Sequence, residues 1–206
     1  MCSSDQWARR LQTELLGSLA AGVDLGHEML EVGPGPGAAT AWLRHKVGRL
    51  LALEIDEAEA EMLAAKLLGT NVEVQVGDAT AMTFAEASFD SVGSFTMLHH
   101  IPTAAAQGRV LSEMFRVLRP SGVLIGSDSL ASTELHEFHA DDIYNPIEPS
   151  SLLVRLQVLG FWPITMSLNR CLSFVAHKPA SATLAGAQLL AGTDVRTTDG
   201  KGGSAS

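Results

Sequence analysis

The chain has 206 residues, enough for one domain with a sizeable core. Its formal net charge is -9 and its 14 Lys and Arg are scattered, which argues against the basic surface that nucleic acid or an anionic membrane requires. Cys2 and Cys171 lie far apart and in no metal-ligand spacing, the N-terminus has no signal-peptide core, and no apolar run is long enough to span a bilayer; the expectation is a cytoplasmic protein with no membrane span.

Trp7, Leu11, Leu15, Leu16 and Leu19 fall at helical spacing and predict an amphipathic helix over Asp5–Ala20, packed on the core or closing over a site. His27–Val32 reads as a first strand that ends in an acid, Glu31, and breaks into the loop Gly33-Pro34-Gly35-Pro36-Gly37. Ala38–Lys46 follows as a crossover helix. Leu50–Ile55 is almost continuously apolar, as a parallel strand buried on both faces should be. Glu57–Leu68 is a second helix, and Val72–Val76 is a third strand closed by Gly77-Asp78. Phe89–Phe95 is the fourth strand, with His99-His100 just past it. A long helix over Thr103–Leu118 runs into the turn Arg119-Pro120-Ser121-Gly122, and Val123–Ser127 is the fifth strand. Residues Asp128–Pro149 read as a polar insertion over the site. Ser151–Leu159 is helical and stops at Gly160; Pro163–Leu168 and Cys171–Ala176 form a closing antiparallel pair. From Ala180 the composition turns to Ala, Gly, Ser and Thr, which predicts a domain over 1–179 and a flexible tail over 180–206.

The alternation of strand and helix predicts an α/β, Rossmann-like doubly wound fold. Its seven-stranded sheet is mostly parallel, with an antiparallel strand pair at one edge. Ligands of such sheets bind at the carboxyl ends of the strands. Glu31 with its glycine loop, Glu54 with Asp56 close behind, Asp78, and His99-His100 all stand at such ends, so they converge on one crevice. The set suits an adenine nucleoside. Glycines admit close backbone approach, a carboxylate after the second strand accepts from ribose hydroxyls, and an aspartate after the third accepts from the adenine amino group. A histidine beside the acceptor could take its proton, or only shape and hydrogen-bond the pocket. His136, His139, Asp141 and Asp142 have the residue types of a metal site without a closed spacing, and the expectation there is a solvated loop with no metal.

In this order and spacing the segments Glu31–Gly37, Leu53-Glu54-Ile55-Asp56, Gly77-Asp78-Ala79, Phe89-Asp90-Ser91-Val92 and Leu118-Arg119-Pro120-Ser121-Gly122-Val123-Leu124 resemble the class I S-adenosylmethionine-dependent methyltransferases. The resemblance covers Glu28–Pro179 and looks closest to the branch with the ubiquinone/menaquinone-biosynthesis enzymes and many small-molecule methyltransferases. It implies that Gly33, Gly35 and Gly37 lie beside the methionine moiety, that Glu31 reaches its amino group through water, and that Glu54 takes the ribose. It further implies that Ile55 packs on adenine, that Asp78 takes the adenine amino group with Ala79 beside it, and that Phe95 and Thr96 line the sulfonium side. Asp56 is the competing ribose carboxylate; Glu54 is favoured because it holds the last apolar strand position, where the family motif has its ligand. His100, then His99, are the catalytic candidates, and the cofactor is S-adenosylmethionine with a small-molecule acceptor. Two other readings remain. One is a non-catalytic module that binds the cofactor. The other is an NAD(P)-dependent oxidoreductase, disfavoured because its loop is Gly-x-Gly-x-x-Gly and holds a diphosphate, to which Glu31 is ill suited.

Overall fold

A computed structural model describes residues 15–138, 143–169 and 171–181. Most of the expected N-terminal helix, His139, Asp141 and Asp142 of the insertion, and the tail beyond Ser181 lie outside the described residues. The seven strands are β1 (Glu28–Val32), β2 (Arg49–Glu54), β3 (Val72–Val76), β4 (Phe89–Phe95), β5 (Leu118–Asp128), β6 (Ile164–Leu168) and β7 (Leu172–His177). The helices are α1 (Gly17–Leu19), α2 (Thr40–Leu43), α3 (Glu57–Lys66), α4 (Ala104–Val117), α5 (Thr133–Phe138) and α6 (Pro149–Leu159).

The strands form one sheet in the order β3-β2-β1-β4-β5-β7-β6. Strands β1 to β5 pair in parallel, and β7 runs antiparallel to both β5 and β6. The order reverses between β1 and β4, the switch point at which open α/β sheets bind their ligands. Both faces are covered, as the apolar strands require. Leu30, Val32, Leu51, Leu53, Val92 and Leu124 pack in one cluster with Val110, Leu111 and Met114 of α4 and Leu152 and Leu156 of α6. Met29, Leu50, Phe95, Val123 and Ile125 pack on the opposite face against Leu16, Leu25, Ala39 and Leu43. Each fully buried Leu or Met here contributes roughly 1.5–3 kcal/mol.

Two elements differ from the sequence expectation. The first crossover helix shrinks to Thr40–Leu43, because Trp42, His45 and Lys46 donate to carbonyls three residues back and tighten both ends of the helix. The fifth strand begins five residues early, at Leu118 paired with Phe89. Arg119–Gly122 passes as an irregularity inside it, with Ser121 at φ 66°. It also ends one residue late, on Asp128, which moves that carboxylate from the insertion onto the sheet.

Candidate active site

The glycine loop is tied down by the carboxylate of Glu54. Its Oε2 accepts from Gly35 N at 3.0 Å, and its Oε1 accepts from Ile55 N at 2.9 Å and Asp56 N at 3.2 Å. One buried side chain thus joins the tip of the loop to the end of β2. Asp56, the competing carboxylate, is the N-cap of α3 and accepts from Glu59 N at 3.0 Å. The glycines differ in their surroundings. A Cβ at Gly35, where φ is +50°, would meet nothing within 4 Å, so this position borders open space. At Gly37, where φ is +82°, it would lie 2.5 Å from Leu63 Cδ1, so that glycine lets the loop lie against α3. The side chain of Met97 covers Gly33.

Glu31 stands on β1 with 1% of its surface exposed, and its Oε2 has no hydrogen-bond partner. Burial pushes its carboxyl up to about 7. The nearby Thr40 hydroxyl pulls it down without completing a hydrogen bond, and the Glu54 charge adds to the rise. An orphaned buried carboxylate is costly, and a cationic ligand group is what would satisfy it. At the other end of the crevice Ile55 is 70% exposed despite its size. Asp78 is exposed as well, its Oδ1 accepting from Thr80 N at 2.7 Å, with Ala79 half-buried beside it. Phe95 is buried. Thr96 adopts φ 53°, a left-handed conformation rare for a β-branched residue, held by Thr96 N to Ser127 O at 2.8 Å.

The two histidines lie on a 3-10 turn, Leu98–His100, directly after β4. His99 is fully buried, and its Nδ1 lies 2.5 Å from Oδ1 of the equally buried Asp128. His100 is half-buried and its ring lies against that of His99, with centroids 4.1 Å apart. Past α5, the insertion returns to this turn through Tyr144, whose ring stands edge-on to His99 at 5.8 Å, and Asn145, whose N donates to His99 O at 2.7 Å. Among the described residues there is no group of three or more metal-ligating side chains, and His136 packs edge-on against Tyr144.

Glu31, Glu54 and the glycine loop are thus brought together, Ile55 and Asp78 flank the ends of β2 and β3, and the histidine turn lies across the switch point. Sequence reasoning missed Asp128, Thr40, Gln107 and Asn145. For Asp128 a signal was present, since it follows an apolar strand as Glu31 and Glu54 do theirs. For the others, no local pattern marks them.

Residues 30–126 match a family model described as a methyltransferase domain. Methyltransferase GfsG of Streptomyces halstedii is 30% identical over 178 residues, which cover 84% of this chain and 57% of that protein. Phthiotriol/phenolphthiotriol dimycocerosates methyltransferase 1 of Mycobacterium ulcerans is 29% identical over 128 residues, 61% of this chain and 46% of that protein. The chain therefore spans about half the length of these curated relatives. Among solved structures, a SAM-dependent methyltransferase from Methanosarcina mazei shares the fold at TM-score 0.68 and 18% identity, covering 82% of this chain and 100% of that one.

Proposed function

We propose that the chain is a class I S-adenosylmethionine-dependent methyltransferase that transfers a methyl group to a small-molecule acceptor by in-line displacement, a reading supported by the methyltransferase-domain match over residues 30–126 and the similarity to methyltransferase GfsG. The observation that carries this reading is the orphaned, buried carboxylate oxygen of Glu31 beside a loop that opens at Gly35. A carboxylate there suits a ligand with an ammonium and a sulfonium, and repels a diphosphate. The resemblance favours the branch with the ubiquinone/menaquinone-biosynthesis enzymes. A relative named for phthiotriol dimycocerosates and the acidic charge of the chain both support a small-molecule acceptor.

The bound cofactor would supply an already electrophilic methyl group. The chain's own work is to bind, orient and exclude water. Glu31 takes the ammonium, Gly33 and Gly35 border the methionine part, and Glu54 exchanges part of its hold on Gly35 for the ribose hydroxyls. Ile55 covers one face of adenine, Asp78 accepts from its amino group with Ala79 alongside, and Thr96 faces the sulfonium, with Phe95, buried in the core, backing that end of β4. Gly37 acts indirectly, by seating the loop on α3. Acceptor walls come from the histidine turn and the segment around Tyr144.

Calorimetry with S-adenosylhomocysteine on the full chain tests the reading, and saturable binding is expected. Absence of binding overturns it, and binding of NAD(P) in its place favours the oxidoreductase. Release of S-adenosylhomocysteine from S-adenosylmethionine across a panel of hydroxyl, amine, thiol and enolic acceptors tests transfer. Cofactor binding with no transfer throughout would favour the non-catalytic module.

A further inference from the structure

One short turn is held by more polar groups than its own folding requires. Its backbone bonds, His100 N to Met97 O at 2.9 Å and Ile101 N to Leu98 O at 3.1 Å, already close it. Yet Gln107 Nε2 donates to Leu98 O at 3.0 Å, Asn145 N donates to His99 O at 2.7 Å, and Asn145 Nδ2 donates to Ile101 O at 3.0 Å. Gln107 Nε2 also donates to Asn145 O at 2.8 Å, and Arg155 Nη1 donates to Gln107 Oε1 at 3.2 Å. From the sheet, Asp128 accepts from His99 twice, at 2.5 Å from Nδ1 and at 3.3 Å from the backbone N. Asp128, His99 and Gln107 are all buried.

A buried carboxylate costs several kcal/mol to desolvate, and an apolar residue would end β5 as well. Such an outlay is the structural form of a supported functional group, in which the supporting shell locks the ring that does the work. His99 is the locked ring, but with no exposed surface it meets no acceptor. His100 does have surface, and its ring rests on His99 at a tilt of 39°.

We propose that Asp128, acting through His99, is a positioning residue for His100, and that His100 receives the proton the acceptor loses on methylation. The proposal rests on the methyl-transfer reading. In the step, the acceptor O–H or N–H bond breaks and its proton passes to a ring nitrogen of His100. The acceptor atom bonds to the methyl carbon, and the carbon–sulfur pair returns to sulfur, which becomes a neutral thioether. A positioned base of this kind contributes about 10²–10⁴-fold to a rate. Among the described residues, the titratable groups beside the pair include Asp128 from β5, Tyr144 and, behind it, His136 from the insertion, with Cys171, ahead of β7, close enough to feel the charge of Asp128. The Cys171 thiol is pushed up by burial and then by the charge of Asp128.

The test is NMR of the histidine rings on the full chain saturated with S-adenosylhomocysteine, in wild type, Asp128→Asn and His99→Phe. Wild type should show cross-peaks between the two rings and a single set of His100 signals. Asp128→Asn should lose the cross-peaks and move the His100 titration, with S-adenosylhomocysteine affinity within about twofold of wild type. On an acceptor turned over by wild type, kcat should fall about 10- to 100-fold with little change in KM for the cofactor, and the pH profile should move with the NMR titration. Unchanged His100 cross-peaks and titration in a folded Asp128→Asn protein overturn the proposal. If that variant does not fold, His99→Phe, which removes the Nδ1 bond to Asp128 while keeping a ring against His100, replaces it, judged by the His100 titration, kcat and the pH profile. Failure of the methyl-transfer reading shows separately, as absence of cofactor binding in the same samples.

Discussion

Replacing Glu31 by Gln separates the cost of this buried carboxylate from its use. Burial raises the carboxyl from its ordinary 4.5 to about 7, and each pH unit is worth about 1.4 kcal/mol. Between those two pH values the folded protein keeps a proton that the unfolded chain has released. Stability from this group is therefore full below pH 4.5, falls as pH rises to about 7, and stays low above it, a total loss of about 3 kcal/mol. Glu31→Gln has no such loss and gives up no hydrogen bond at Oε2. At pH 8 the variant should be more stable than wild type by up to about 3 kcal/mol, while at pH 5 the two should agree within about 1 kcal/mol. Urea denaturation of both proteins at the two pH values measures this, and other titrating groups cancel in the difference. Affinity for S-adenosylhomocysteine should fall about 10- to 100-fold in the same variant, since the ammonium loses its counter-charge. Equal stability of the two proteins at pH 8 would refute the reasoning.

Glu54→Gln must set an NH2 against one of the N–H groups that both carboxylate oxygens now receive. It should cost about 1–3 kcal/mol in urea denaturation and also weaken S-adenosylhomocysteine binding by calorimetry. Gly35→Ala should stay within about 1–2 kcal/mol of wild type but bind S-adenosylhomocysteine poorly, whereas Gly37→Ala, which must also displace the end of the Leu63 side chain, should lose about 1–3 kcal/mol more in urea denaturation. Asp78→Ala should weaken cofactor binding with little loss of stability. Asp56→Ala should do the reverse, losing about 1 kcal/mol of helix capping with affinity unchanged; equal effects on affinity would reopen the choice between Glu54 and Asp56. Thr96→Gly should fold within about 1 kcal/mol of wild type, because relief of its left-handed strain offsets the lost hydroxyl bond to Phe95 O; a loss well beyond that would show that Thr96 is not strained.

The sheet was legible because its strands are buried on both faces and so read as short apolar runs cut by glycine, acid and turn signals. Strands β3 and β4 fall where Val72–Val76 and Phe89–Phe95 read as strands. The strand-end carboxylates were legible for the same reason, since a polar residue ending an apolar run is visible in one dimension. What could not be read was dependence on partners distant in sequence. Composition favours helix across Ala38–Lys46, but hydrogen bonds to carbonyls three residues back at both ends leave only one regular turn. Asp128 is a single letter past a strand, and its meaning comes from His99, 29 residues earlier. Gln107 reads as the polar face of a helix, yet it is buried because Leu98 and Asn145 both need its amide.

The direction of β7 has a practical corollary. His177 pairs with Val123 at the start of β5, and Lys178 Nζ is bonded to Phe115 O and Leu118 O, where α4 gives way to that strand. The backbone therefore leaves the sheet on the side opposite the glycine loop and the histidine turn. An affinity handle or fluorophore joined just after Ser181 starts from that far side, which makes this the attachment point for immobilising the protein in binding measurements.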